Sequence, residues 1–148
     1  MTPALANALA ALPHGPEFRF IDRLLELDPG RSAAAAYTLR GDEPFLRGHF
    51  PGDPLMPGVL LIEAAAQLAG VVAQSDPARP PLPGLKLTAV RNVKITGTAR
   101  PGETLTVRAE VVGRLVNLVQ ARVTADLGTR RILVGEVTLS GISLACPP

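Results

Sequence analysis

The sequence predicts an α+β fold, and three observations carry that prediction. A helical stretch at residues 59–73, apolar except for Glu63 and Gln67, stands ahead of most of the extended chain. Three later runs, 104–111, 115–126 and 130–139, alternate apolar and polar residues with the period of half-buried strands, which makes an antiparallel sheet the expected partner of the helix. No linker or repeat divides the 148 residues, which are ample for one core, so a single domain over 1–148 is expected.

The elements follow in chain order. Residues 2–11 are rich in Ala and Leu and read as a short amphipathic helix leading into Leu12 and Pro13. They lack the basic region of a secretory leader, and a cytoplasmic location is expected. Residues 32–40 read as a strand despite four alanines. Pro57 stands at the first turn of the helix 59–73, where a proline fits best. That helix is apolar all round and belongs in a membrane or a core; a bilayer needs about 20 apolar residues, so no membrane span is expected. Residues 75–84, rich in proline, form a loop, 85–95 another strand, and Gly113 and Gly128 are the turn residues between the late strands.

Charge and composition exclude some classes of function. A formal net charge of +2 with 3% aromatic residues is not the clustered basic, stacking surface of a nucleic-acid binder. Arg91, Lys94 and Arg100 make a modest basic patch that suits an acidic partner, although solvated strand residues explain them equally well. Cys146 has no second cysteine to pair with and no activating neighbour, which indicates neither a disulfide framework nor a nucleophile.

The chemistry concentrates in GHFPGDPLMPGVLLIEAAAQ, residues 48–67. Glu63 and Gln67 share one helical face about 6 Å apart along the axis, and an ionised carboxylate there is costly without partners. His49 precedes them in a loop stiffened by Pro51, Pro54 and Pro57 and shaped by Gly48, Gly52 and Gly58, a backbone able to aim an imidazole. The helix start near Gly58 presents unpaired N–H groups and a positive dipole end to an oxyanion. Base, acid and oxyanion donor together suit removal of a proton beside a carbonyl with departure of a hydroxyl from the next carbon. A structural ion network, a hydrogen-bonded loop histidine and plain turn chemistry are the bland explanations of the same three residues. Asp53 reads as a turn residue. His14, outside the loop and helix with no identified partner, reads as structural. Ala64, Ala65, Ala66 and Leu68 either line a tunnel or, as small residues more often do, permit close packing on a sheet.

The run HFPGDPLMPGVLLIEAAAQ resembles the signature of the bacterial 3-hydroxyacyl-acyl-carrier-protein dehydratases of the FabZ and FabA kind. LPHGPEFRFIDRLLELDPG, residues 12–30, resembles the FabZ leading segment, and RPGETL, residues 100–105, its turn into a late strand. The resemblance implies a hot-dog fold, an antiparallel sheet wrapped around one long central helix. It implies a homodimer with active sites at the interface, His and acid coming from different subunits, and hexamers built as trimers of dimers. It makes His49 the catalytic base, Glu63 the acid and Gly58 the amide that binds the thioester carbonyl. Glu rather than Asp at position 63 points to the FabZ branch, which dehydrates without isomerising. The implied substrate is a 3-hydroxyacyl thioester on the phosphopantetheine arm of acyl carrier protein, converted reversibly to the trans-2-enoyl thioester, with no metal or redox cofactor.

Two segments depart from the FabZ pattern: Gly15, Pro16 and Glu17 replace the usual neighbours of His14, and ITGTARPG, residues 95–102, lacks consecutive arginines and looks more like the FabA branch. They leave the carrier and chain length open and point toward a specialised pathway such as polyketide or aryl-polyene synthesis. Two other classes of function fit the same fold. A hot-dog thioesterase would release a free thiol, and a noncatalytic acyl-binding or assembly subunit would bind without turnover.

Overall fold

The computed structural model describes residues 1–142, so Cys146 lies outside the described residues. The chain begins with helix α1, Pro3–Ala10, capped by Thr2, whose Oγ1 accepts from Leu5 N–H at 3.3 Å. Strands β1, Arg23–Asp28, and β2, Ser32–Thr38, follow as a hairpin. Helix α2, Gly58–Gln74, comes next, starting one residue before the predicted stretch and ending one after it. Four strands complete the sheet: β3 at Lys86–Ile95, β4 at Thr104–Leu115, β5 at Leu118–Leu127 and β6 at Arg130–Ser140.

The six strands form one antiparallel sheet in the order β1-β2-β4-β5-β6-β3. Helix α2 lies on one face of it, against β2, β4, β5 and β6. This is the hot-dog arrangement expected from the sequence. Packing follows residue size: Ala64, Ala65, Leu68 and Ala69 of α2 are fully buried, and so are Val107, Ala121 and Ala125 on the strands opposite. Alanines on both surfaces let the helix backbone approach the sheet closely, and each larger side chain taken from water contributes about 1.5–3 kcal/mol. The alanines of β2 are buried on both faces, which answers their low strand propensity with tertiary packing.

Strand β1 is not predicted by alternation, because a register shift between Leu24 and Glu26 breaks the period and leaves Leu25 exposed. Gly113 is not a turn residue. It lies inside β4 beside a bulge at Val111, and the chain reverses instead at Val116 and Asn117, where Val116 takes φ 53°. The Asn117 side chain holds that reversal by donating to Gly141 O at 2.6 Å. Gly128 does turn the chain, with φ 59° between β5 and β6. The loop after α2 is clamped by Gln74, whose amide both donates to Leu82 O at 2.7 Å and accepts from Leu82 N at 2.8 Å.

Strand β3 is an edge, hydrogen-bonded to β6 alone, and nearly every residue of it is exposed, including Leu87, Val90 and Ile95. A ten-residue edge left open with three large apolar side chains exposed is an unusual state for a sheet. The same side of the molecule exposes part of α2: Val59, at 70% exposure, is the exception to a helix predicted to be buried all round. Among the described residues no helix is long and apolar enough to cross a membrane.

Candidate active site

His49 is positioned by a small closed loop. Phe50 N–H donates to Asp53 O at 3.0 Å, Asp53 N–H returns to Phe50 O at 2.9 Å, and Leu55 N–H reaches His49 O at 2.9 Å. Pro51 and Pro54 contribute no N–H that would need a partner, and Gly52 supplies the φ of 76° the turn requires. Met56 N–H then pins the loop exit to Ala99 O at 2.9 Å. The half-buried imidazole stacks on Phe50 with centroids 4.1 Å apart, and its Nδ1 lies 2.9 Å from Leu55 O. A carbonyl only accepts, so the hydrogen sits on Nδ1 and Nε2 keeps its lone pair. That is the nitrogen a general base uses.

Asp53 stands in this turn as expected, and its carboxylate is directed to Arg100 rather than to His49. The pair engages one of the three residues of the expected basic patch, leaving Arg91 and Lys94 exposed on β3.

Glu63 projects from α2 toward the segment that leads into β1. Its Oε1 accepts from Gln67 Nε2 at 3.1 Å and lies 3.2 Å from His14 Nε2. Gln67 is buried and its orientation is unambiguous, because its Oε1 accepts Phe20 N–H at 2.9 Å while Nε2 donates to Phe18 O at 2.8 Å. The reading of His14 as a residue without a partner is therefore corrected: a turn held by Arg19, which donates to both Leu12 O and His14 O at 3.1 Å, brings the ring onto Glu63. Glu63 and His14 face a cavity of about 520 Å³ walled also by Leu12, Gly70, Leu85 and Leu139. Of the four α2 residues considered for a tunnel, Ala66 lines this cavity; Ala64, Ala65 and Leu68 pack into the core. Sequence reasoning missed Gly70, although its spacing from Glu63 and Gln67 placed it on their face.

Gly58 opens α2, and within the described residues no acceptor is paired with its N–H. A side chain there would place Cβ 2.9 Å from Ile95 Cδ1, so glycine also keeps the approach to this amide clear. His49 and Glu63 share no hydrogen bond or ion pair in one chain among the described residues: the first faces Leu55 and Phe50, the second Gln67 and His14.

A buried carboxylate that sequence reasoning did not single out orders the chain before the His49 loop. Glu43 accepts from Arg40 N and Gly41 N, each at 2.8 Å, and from the Tyr37 hydroxyl at 3.0 Å. Burial by itself would raise the Glu43 carboxyl, but these donors outweigh it and hold it below its usual range. Burial, together with the Glu43 charge, pushes the Tyr37 hydroxyl well above the usual tyrosine value.

Comparison with known proteins identifies the family. The FabA-like domain family matches residues 12–136. The 3-hydroxyacyl-[acyl-carrier-protein] dehydratase FabZ of Ruminiclostridium cellulolyticum is 35% identical over 127 residues, covering 85% of this chain and 88% of its own length. The FabZ of Wolbachia pipientis is 32% identical over 139 residues, covering 93% and 94%. Among solved structures, the dehydratase heterocomplex ApeI:P from Xenorhabdus doucetiae superimposes with a TM-score of 0.77 at 14% identity, over 95% of this chain and 92% of that one. Zebra fish thioesterase superfamily member 2 gives a TM-score of 0.67 at 15% identity over 92% of each chain, so the fold alone does not separate the two chemistries. The sequence matches do: this chain belongs to the FabA-like family of 3-hydroxyacyl-[acyl-carrier-protein] dehydratases.

Proposed function

We propose that this protein removes water reversibly from a (3R)-hydroxyacyl thioester carried on the phosphopantetheine arm of acyl carrier protein, giving the trans-2-enoyl thioester. The observation that carries the reading is the hydrogen bond from His49 Nδ1 to Leu55 O, which commits Nδ1 and leaves Nε2 as the ring nitrogen available to a substrate. His49 Nε2 takes a proton from C2 of the substrate. The charge that develops on the thioester oxygen is met by Gly58 N–H and the positive end of α2. The C3–O bond then breaks, and the departing hydroxyl receives its proton from Glu63 and leaves as water. Only proton transfer and C–O cleavage are involved, so no metal or redox cofactor enters the scheme.

The acid and base belong to different chains in this reading. A dimer that pairs the β3 edges and covers the exposed face of α2 would bury Leu87, Val90, Ile95 and Val59. Hexamers would follow from trimerisation of that dimer. Arg91 and Lys94, both exposed on β3, are cations available to an acidic carrier protein. A cytoplasmic location and a pathway of the fatty-acid or polyketide type, aryl-polyene synthesis included, complete the proposal. Glutamate at position 63 supports dehydration without isomerisation.

The test is to incubate the purified protein, beside His49→Ala, with a 3-hydroxyacyl thioester. Mass spectrometry and ultraviolet absorbance then follow the product. Loss of water that disappears in the variant is expected. A released thiol would replace the proposal with a thioesterase, and carrier binding without turnover would replace it with an assembly subunit.

A further inference from the structure

The chain has two histidines, and their partners put them in opposite tautomers. His49 carries its hydrogen on Nδ1, toward Leu55 O. The Nε2 of His14 faces a carboxylate oxygen at 3.2 Å, while its Nδ1 is buried with no hydrogen-bond partner. A carboxylate oxygen needs a donor, and a second proton on Nδ1 would be a buried N–H without an acceptor. The His14 ring therefore carries a hydrogen on Nε2 and acts as a hydrogen-bond donor to Glu63, not as a second base.

The geometry points to His14 as a positioning residue for Glu63. Two N–H donors, His14 Nε2 and Gln67 Nε2, converge on the same oxygen, Oε1. Gln67 cannot reverse its amide, because Phe20 N–H and Phe18 O hold its two ends. Oε1 is thus committed as an acceptor, and the catalytic proton belongs to Oε2, the oxygen for which no protein partner is found among the described residues. His14 is itself held: Arg19 ties down the turn through Leu12 O and His14 O, and the ring stacks on Phe18 at 6.3 Å. Without His14, Gln67 alone directs the carboxylate, and the side-chain torsions of Glu63 regain freedom toward the cavity.

This inference rests on Glu63 being the acid of the proposed dehydration, and its test has one arm that does not. In protein labelled with ¹⁵N-histidine, the ring nitrogens of His14 report the Nε2–H tautomer at neutral pH, and Glu63→Gln perturbs that signal. An Nδ1–H or cationic His14 ring overturns the proposal whether or not the protein dehydrates anything. In the kinetic arm, His14→Phe keeps the stacked ring but removes the donor, and kcat falls about tenfold with KM nearly unchanged. His14→Gln restores a donor and recovers most of the loss. In a Glu63→Gln background the His14→Phe change has no further effect. Wild-type kcat in folded His14→Phe, an equal defect in His14→Gln, or additive losses in the double variant each overturn the role. Absence of dehydration by the unaltered protein refutes the proposed reaction alone, and the tautomer measurement still decides the contact.

Discussion

Protein assembled from equal amounts of His49→Ala and Glu63→Gln chains is expected to regain about a quarter of wild-type turnover, although each variant alone loses about 10²–10⁴-fold. The figure comes from the separation of the two residues. Within one chain His49 is held by Leu55 and Glu63 by Gln67 and His14, with no contact between them among the described residues. In a two-fold dimer each site then takes His49 from one protomer and Glu63 from the other. A mixed dimer carries both substitutions in one site and neither in the second. Random pairing makes about half of the dimers mixed, and each has one intact site of two, which gives about one quarter. The chains are co-expressed with different affinity tags, and appearance of the enoyl thioester is followed by absorbance. For an assembly that stops at the dimer, tandem purification through both tags selects mixed dimers and raises the recovery to about half. A mixture as inactive as its parents, in protein that size-exclusion chromatography shows to be assembled, would refute the shared site and place acid and base in one chain.

Three further outcomes follow from the packing and the charges. Gln67→Leu leaves Phe20 N–H and Phe18 O without their partner and costs about 3 kcal/mol in denaturant unfolding; a loss below about 0.5 kcal/mol contradicts the assigned bonds. Gly135→Ala drives a methyl group into Val93, whose Cα would lie 3.0 Å away, and lowers stability by about 1–3 kcal/mol, whereas Gly128→Asn, at φ 59° with open space around it, stays within about 0.5 kcal/mol in the same thermal melts. The Glu43 carboxyl is held below its ordinary value of 4.5, so its contribution is complete above that pH and is lost as pH falls through the folded-state value. The buried Tyr37 hydroxyl, held above its ordinary value of 10.0, contributes fully below that pH and loses its contribution as pH rises beyond it. Glu43→Gln therefore flattens the acid limb of a stability–pH series, and an unchanged limb would contradict the assignment.

The helix, five of the six strands and the loop–helix motif were legible because each is written in local periodicity or composition. The long apolar run opened by Pro57 marked α2 to within one residue at each end, and alternation marked β4, β5 and β6. Period-based reading failed where one extra residue shifts the phase: the bulge near Leu24 concealed β1, and the bulge at Val111 made Gly113 look like a turn. The candidate site divides in the same way. His49, Gly58 and Glu63 stand in one continuous stretch and can be named from it. His14 could not be joined to them, because its bond to Glu63 depends on how the segment leading into β1 folds back on α2.

The sequence by itself determined the kinds of element, the chemistry available to the site and the family, since these depend on side-chain type and on spacing along the chain. Tertiary structure decided which alanines of α2 face the cavity, which oxygen of Glu63 is left free, and that His49 and Glu63 share no hydrogen bond within one chain among the described residues. It also buried Glu43 and supplied the donors that keep it ionised. Those outcomes depend on the rotation of one helix and the register of strands distant in sequence. A shift of a single residue changes every such contact while leaving local composition the same.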